Sequence, residues 1–169
     1  METGGGMFYR EILPPTIADA VSGRGSAIHM PALAFWKAAP RLGSLPDAAA
    51  FEIDALGRVG SHALVLDVEH EPRDFVVRTV GPELHGFLRG DQTGLRLSED
   101  PQKALGSQLW EQLAAVVETG KPAVYETPYN GNFWDFYGIR QLVCPLTRTG
   151  MTVDGLFTSL AFLPKKTDG

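Results

Sequence analysis

The chain has 169 residues, 44% hydrophobic and 21% charged, with a net charge of −5 and one cysteine. That length suits one domain, able to bury roughly 70% of the surface its unfolded chain would expose. The acidic balance, without a basic stripe, argues against nucleic acid as a partner; a lone Cys144 excludes an internal disulfide; and no apolar run nears the ~20 residues of a membrane span.

Residues 1–30 carry several glycines and Pro14-Pro15, and read as an irregular N-terminal arm with one helical turn near Thr16 to Val21. Its start lacks the basic and apolar regions of a secretory signal, so a reducing cytoplasm is the expected location. Residues 31–60 read as helical. Leu33, Phe35, Trp36 and Leu42 give an apolar face from Pro31 onward, and Asp47 is a good N-cap for a second helix through Phe51 and Ile53 to Leu56. After Gly60 the period changes to that of strands. His62 to Glu69 and Phe75 to Val80, joined by Glu71-Pro72-Arg73-Asp74, form an antiparallel hairpin. Strand alternation puts Phe75, Val77 and Thr79 on one face, and Val76, Arg78 and Val80 on the other.

Pro82 to Leu88 reads as a short helix and 90–94 as a loop. The clearest helix starts at Asp100-Pro101, presents Leu105, Leu109, Leu113, Val116 and Val117, and stops at Gly120. Ala123 to Tyr129 is a third strand. Asn130-Gly131 then signals a tight hairpin turn into a strand within Asn132 to Leu146, with a bulge at Gly138. Leu156 to Leu163 is a fifth strand, closed by Pro164, and 165–169 is a polar tail. The domain proper is thus 61–164. Strand pairs separated by one helical block indicate an α+β fold with an antiparallel sheet.

Several short pieces carry a family resemblance: Leu45-Pro46-Asp47 leading into Phe51, Leu64-Val65-Leu66-Asp67-Val68, Asp74 to Gly81, Thr93-Gly94 with Leu97-Ser98-Glu99, Thr119-Gly120-Lys121-Pro122, and Leu142 to Leu146. In this order and spacing, over residues 45 to 163, the chain resembles stand-alone bacterial PAS-like proteins. The resemblance implies a five-stranded antiparallel sheet of order 2-1-5-4-3 with helical cover. By extension it implies sensing, ligand binding or dimerisation rather than catalysis.

A PAS-like pocket between sheet and cover would be lined by Phe75, Val77, Thr79, Phe87, Leu88, Trp110, Leu113, Val117, Arg140 and Ser159. Apolar walls with a few polar groups suit a small ligand, although the same side chains can simply fill a core. Thr79 and Ser159 offer hydroxyls where aliphatic groups would fit a sealed interior, and Arg140 could aim a guanidinium at a carboxylate or lie exposed. Phe133, Trp134, Phe136 and Tyr137 cluster beside the hairpin turn. They point either to a partner interface, as in a homodimer, or to burial under Phe35 and Trp36 of the N-terminal helices. No catalytic residue and no metal site is assigned. Cys144 reads as a buried inert thiol, without the surroundings of a flavin-reactive cysteine. His85 is the best haem candidate by position, but surface exposure is the ordinary outcome, so no cofactor is assigned. Two alternatives stand beside a sensory module: a docking unit without ligand, and a small α+β enzyme whose sheet, six or more strands long, wraps the long helix.

Overall fold

The computed structural model describes residues 10–12, 17–88, 90–129, 131 and 133–165. In chain order the elements are β1 (Arg10–Ile12), α1 (Ile17–Ala20), α2 (Ser26–Ala38), β2 (Arg41–Leu42), β3 (Leu45–Pro46), α3 (Ile53–Leu56), β4 (Ala63–Glu69), β5 (Asp74–Val80), α4 (Gln108–Thr119), β6 (Ala123–Pro128), β7 (Phe136–Leu146) and β8 (Gly155–Pro164). Short 3₁₀ turns occupy Ala48–Phe51, Gly57–His62, Pro82–Leu84 and Leu97–Glu99.

One α+β sheet dominates, ordered β1-β6-β7-β8-β4-β5 with every neighbouring pair antiparallel. Its five longer strands, numbered among themselves, run 2-1-5-4-3 as expected. The sixth, β1, corrects the reading of residues 1–30 as irregular: Glu11 pairs with Tyr125 and extends the edge beyond β6. Residues 1–9, 13–16 and the tail from 166 lie outside the described residues.

Local propensity loses to packing in several places. α2 begins five residues before the expected Pro31 and runs through that proline, because His29, Leu33 and Trp36 all press onto the sheet. Asp47 does cap, accepting the Ala49 N–H at 3.0 Å, but it caps a 3₁₀ turn, and α3 follows as a separate piece. The long helix starts at Gln108 rather than Asp100. Asp100 closes only a turn, onto the Gln102 N–H at 3.0 Å, and Gly106 breaks helical geometry at φ 95°. Ser107 then supplies the cap, its hydroxyl accepting the Trp110 N–H at 3.1 Å. Leu105, expected on the buried stripe, is 77% exposed. The stop at Gly120 holds, with a left-handed φ of 67°.

The β6–β7 connection is also longer than a two-residue turn. Pro128 pairs with Gly138, and the Tyr129 N–H donates to the Tyr137 carbonyl at 3.0 Å. Asn130 and Asn132 lie outside the described residues. The register of β7 shifts between Phe136 and Gly138, beside the expected bulge. A second shift alters the facing of β5. Val65 pairs with Thr79 but Leu66 pairs with Val77, so Arg78 is the extra residue. Thr79 therefore shares a face with Val65 and not with Phe75 and Val77.

Both faces of the sheet are covered. On one, α2 and the Ala48–Phe51 turn bury Leu33, Trp36 and Phe51 against Val65, Leu142, Cys144, Leu146 and Phe157. Phe51 meets Phe157 at 5.0 Å and Phe35 at 5.3 Å between ring centroids. On the other, α4 lays Trp110, Leu113 and Val116 on Leu66, Phe75, Val77, Tyr125, Val143 and Leu156. Among the described residues no helix is long and apolar enough to cross a membrane.

Candidate functional site

The α4 face gathers half of the expected pocket wall. Phe75 and Trp110 meet edge to face with centroids 4.9 Å apart. Leu113 is fully buried beside them, and Val77 and partly buried Val117 complete the apolar lining. One polar side chain interrupts it. Gln112 is 1% exposed, and neither Nε2 nor Oε1 has a hydrogen-bond partner. Gln141 of β7, beside Tyr125 in the pairing, is also buried.

The remaining expected wall residues lie elsewhere. Phe87 belongs to an aromatic cluster at the β6–β7 end, stacked on Phe162 at 4.0 Å and edge-on to Phe133 and Phe136. Tyr129 knits that cluster: its hydroxyl donates to the Phe87 carbonyl at 3.0 Å and accepts the Phe133 N–H at 3.1 Å. Leu88, half-buried, closes a turn on the Leu84 carbonyl. Thr79, Arg140 and Ser159 sit on the α2 face. Ser159 donates its hydroxyl to His29 Nδ1 at 3.2 Å, while His29 Nε2–H donates to the Arg140 carbonyl at 2.9 Å. Because a carbonyl only accepts, Nε2 carries the proton, and in the neutral ring Nδ1 is then the acceptor from Ser159. Burial disfavours the charged form and lowers the His29 pKa to about 4. Arg140 reaches no pocket: it donates to the carbonyls of Ala20, Ser22 and Arg24 at 3.0 to 3.4 Å and fastens the N-terminal segment to β7.

The expected interface set divides the same way. Phe35 and Trp36 are spent within the chain, the Trp36 indole N–H donating to the Pro145 carbonyl at 2.8 Å. Phe136 joins the Phe87 cluster, and Tyr137 lies under the Arg24 guanidinium at 5.4 Å. Phe133 and Trp134 remain exposed, at 41% and 83%. His85 is exposed, and among the described residues no cluster of His, Cys, Asp or Glu could hold a metal ion. Cys144 is fully buried, and desolvation pushes its thiol pKa up, away from nucleophilic chemistry.

An open groove of about 390 Å³ lies at the C-terminal end of α4, between Val117, Thr119, Leu45, His70, Arg73 and Val153. His70 is tied down there, donating to the Val153 carbonyl at 3.0 Å. Nearby, Asp74 anchors the passage that leads to α4. Burial pushes its carboxyl pKa up, but bonds from the Ser98 hydroxyl at 2.6 Å, the Phe75 and Ser98 amides and Arg96 outweigh that and hold it below the usual carboxylate range.

Two important residues escape sequence reasoning. His29 has a signal, the 29, 33, 36 spacing shared with Leu33 and Trp36. Gln112 has one too, lying between Leu109 and Val116 on the inward stripe, where a polar residue breaks the apolar pattern. Comparison of the chain with protein-family models and with curated proteins gives no match.

Proposed function

We propose that the chain is a PAS-like sensory module. It catalyses no reaction of its own, holds a small molecule beneath α4, and transmits the bound state through a dimer or a partner protein in the cytoplasm. The strand order carries this reading. A hairpin (β4–β5), a helical passage and a three-strand meander (β6–β8) give 2-1-5-4-3, with α4 across one face. The sixth strand leans toward an enzyme with a wrapped sheet. It is, however, a three-residue edge, and α2 occupies the opposite face.

The test is solvent extraction of the purified protein followed by mass spectrometry, with a thermal-shift screen of metabolites. A ligand at 100 times its Kd adds about 2.7 kcal/mol of stability. An empty extract and no shift across broad chemical classes would overturn the reading.

The exposed Phe133 and Trp134 favour a second reading, docking through the β6–β7 connection. Sedimentation at several concentrations checks it. Self-association that Trp134→Ala abolishes supports docking, and a strict monomer removes the homodimer form of the idea.

A further inference from the structure

Gln112 lies mid-way along α4, 1% exposed, with its amide nitrogen and oxygen both unbonded. A buried amide satisfied by nothing is rare, because neither atom recovers what it loses on leaving water. Its direction follows from helical geometry. Trp110, two residues earlier, touches Phe75 of β5. Two residues advance about 200° around a helix, so Gln112 flanks the opposite side of the buried stripe, away from β5 and toward the β6–β7 half of the sheet. Buried Gln141 and Tyr125 pair there.

We infer that Gln112 anchors a small neutral ligand presenting a hydrogen-bond donor and acceptor side by side, such as a primary amide, a lactam or the edge of a heterocyclic ring. The inference rests on the ligand-binding reading above and specifies its ligand class. An anion would satisfy Nε2 and leave Oε1 facing negative charge; a cation would do the reverse. An N–H beside a C=O satisfies both atoms with two antiparallel bonds. The cluster on this face, including Leu66, Leu113, Val116, Val143 and Leu156, offers an apolar surface that suits a flat ring, and the charge buried nearby, Asp74, is already tied to Ser98, Phe75 and Arg96.

The test compares full-length wild type with Gln112→Leu by ligand-observed NMR and thermal shift. The probes are benzamide, benzoate and toluene. Benzamide should bind wild type at least tenfold more tightly than benzoate does, and at least tenfold more tightly than it binds Gln112→Leu. Without ligand, the variant should melt no lower than wild type, since an unsatisfied amide has become apolar. Should Gln112→Leu not fold, unbranched Gln112→Met takes its place. If toluene binds both proteins while benzamide fails to distinguish them, the Gln112 assignment falls and ligand binding stands. If no probe binds and a solvent extract of the protein is empty, both fall. A structural water alone on Gln112, with benzamide binding absent, also overturns the assignment.

Discussion

On the α2 face, His29 donates to one carbonyl and accepts one hydroxyl, Trp36 donates to a third strand group, and Arg140 binds three carbonyls of the N-terminal segment. On the α4 face, Gln112 is as deeply buried and holds nothing. Both faces bury aromatic and aliphatic side chains well. They differ in degree: among the described residues Arg140 on the α2 face leaves its Nε without a partner while its other nitrogens bind three carbonyls, whereas on the α4 face both polar atoms of Gln112 go without. Where such groups are matched within the chain, the layer is a structural seal. A side chain with every polar atom unmatched is where the proposed ligand would bond, so the proposed sensing is placed on that side.

The sharpest way to break the comparison is to damage the seal. Phe157 is fully buried at the centre of the sheet, against Phe35 and Phe51. Phe157→Ala should cost about 3–5 kcal/mol, from lost burial and the cavity left behind. Urea unfolding measures it. A loss under about 1 kcal/mol would mean that the α2 layer packs loosely and seals nothing.

Acid attacks the same face through His29. The folded ring protonates at about 4, whereas the unfolded one does so near 6.5. Between these values the unfolded chain binds more protons, so stability rises with pH and falls on acidification. The full effect across that window is about 3 kcal/mol. Asp74 adds a further loss at lower pH, because its folded pKa lies below the ordinary 3.8 and its bonds vanish as it is protonated. Urea midpoints at pH 7, 6, 5 and 4.5 trace the His29 window. His29→Gln should lower stability at pH 7 but flatten that slope; an unchanged slope would place the sensitivity elsewhere.

How much of this was legible in the residues depends on the range of the contacts involved. The β4–β5 hairpin, the meander and Gly120 announce themselves by local pattern, and the observed strands follow. The helix start does not. Asp100-Pro101 is a good local start, but Gly106 and the ties of Ser98 to Asp74 hold that passage outside helix, and Ser107 takes over. The Asn130-Gly131 signal does not set the connection either, since Tyr129 bonds to Tyr137 and leaves it longer than two residues. Arg140 and Ser159 fall on the α2 face by the alternation of β7 and β8, but the place of Thr79 turns on a single extra residue, Arg78. Thr79 crosses the sheet because of it, and no pattern in one strand reveals a bulge that its partner's register creates.

Arg140 sharpens the comparison at smaller magnitude. Arg140→Met keeps much of the stem and removes the bonds to Ala20, Ser22 and Arg24. A loss of about 1–2 kcal/mol is expected, because part of the group is solvated. Hydrogen exchange should quicken over residues 17–28 while α4 stays protected. Equal quickening in α4 would mean that the two faces open as one unit.

The smallest expected effect tests the cover of the other face. α4 can hold a ligand against the sheet only if its first turn, which carries Trp110, is fixed, and one side-chain oxygen does that fixing. Ser107→Ala should lower stability by about 1 kcal/mol and quicken exchange at the Trp110 and Glu111 amides. Asp100→Ala removes a turn bond well outside the helix and should leave those amides alone. If the two variants trade places, the helix begins at Asp100-Pro101 in solution. The buried stripe would then regain Leu105, and the face that holds Gln112 would be one to two turns longer than its observed cover.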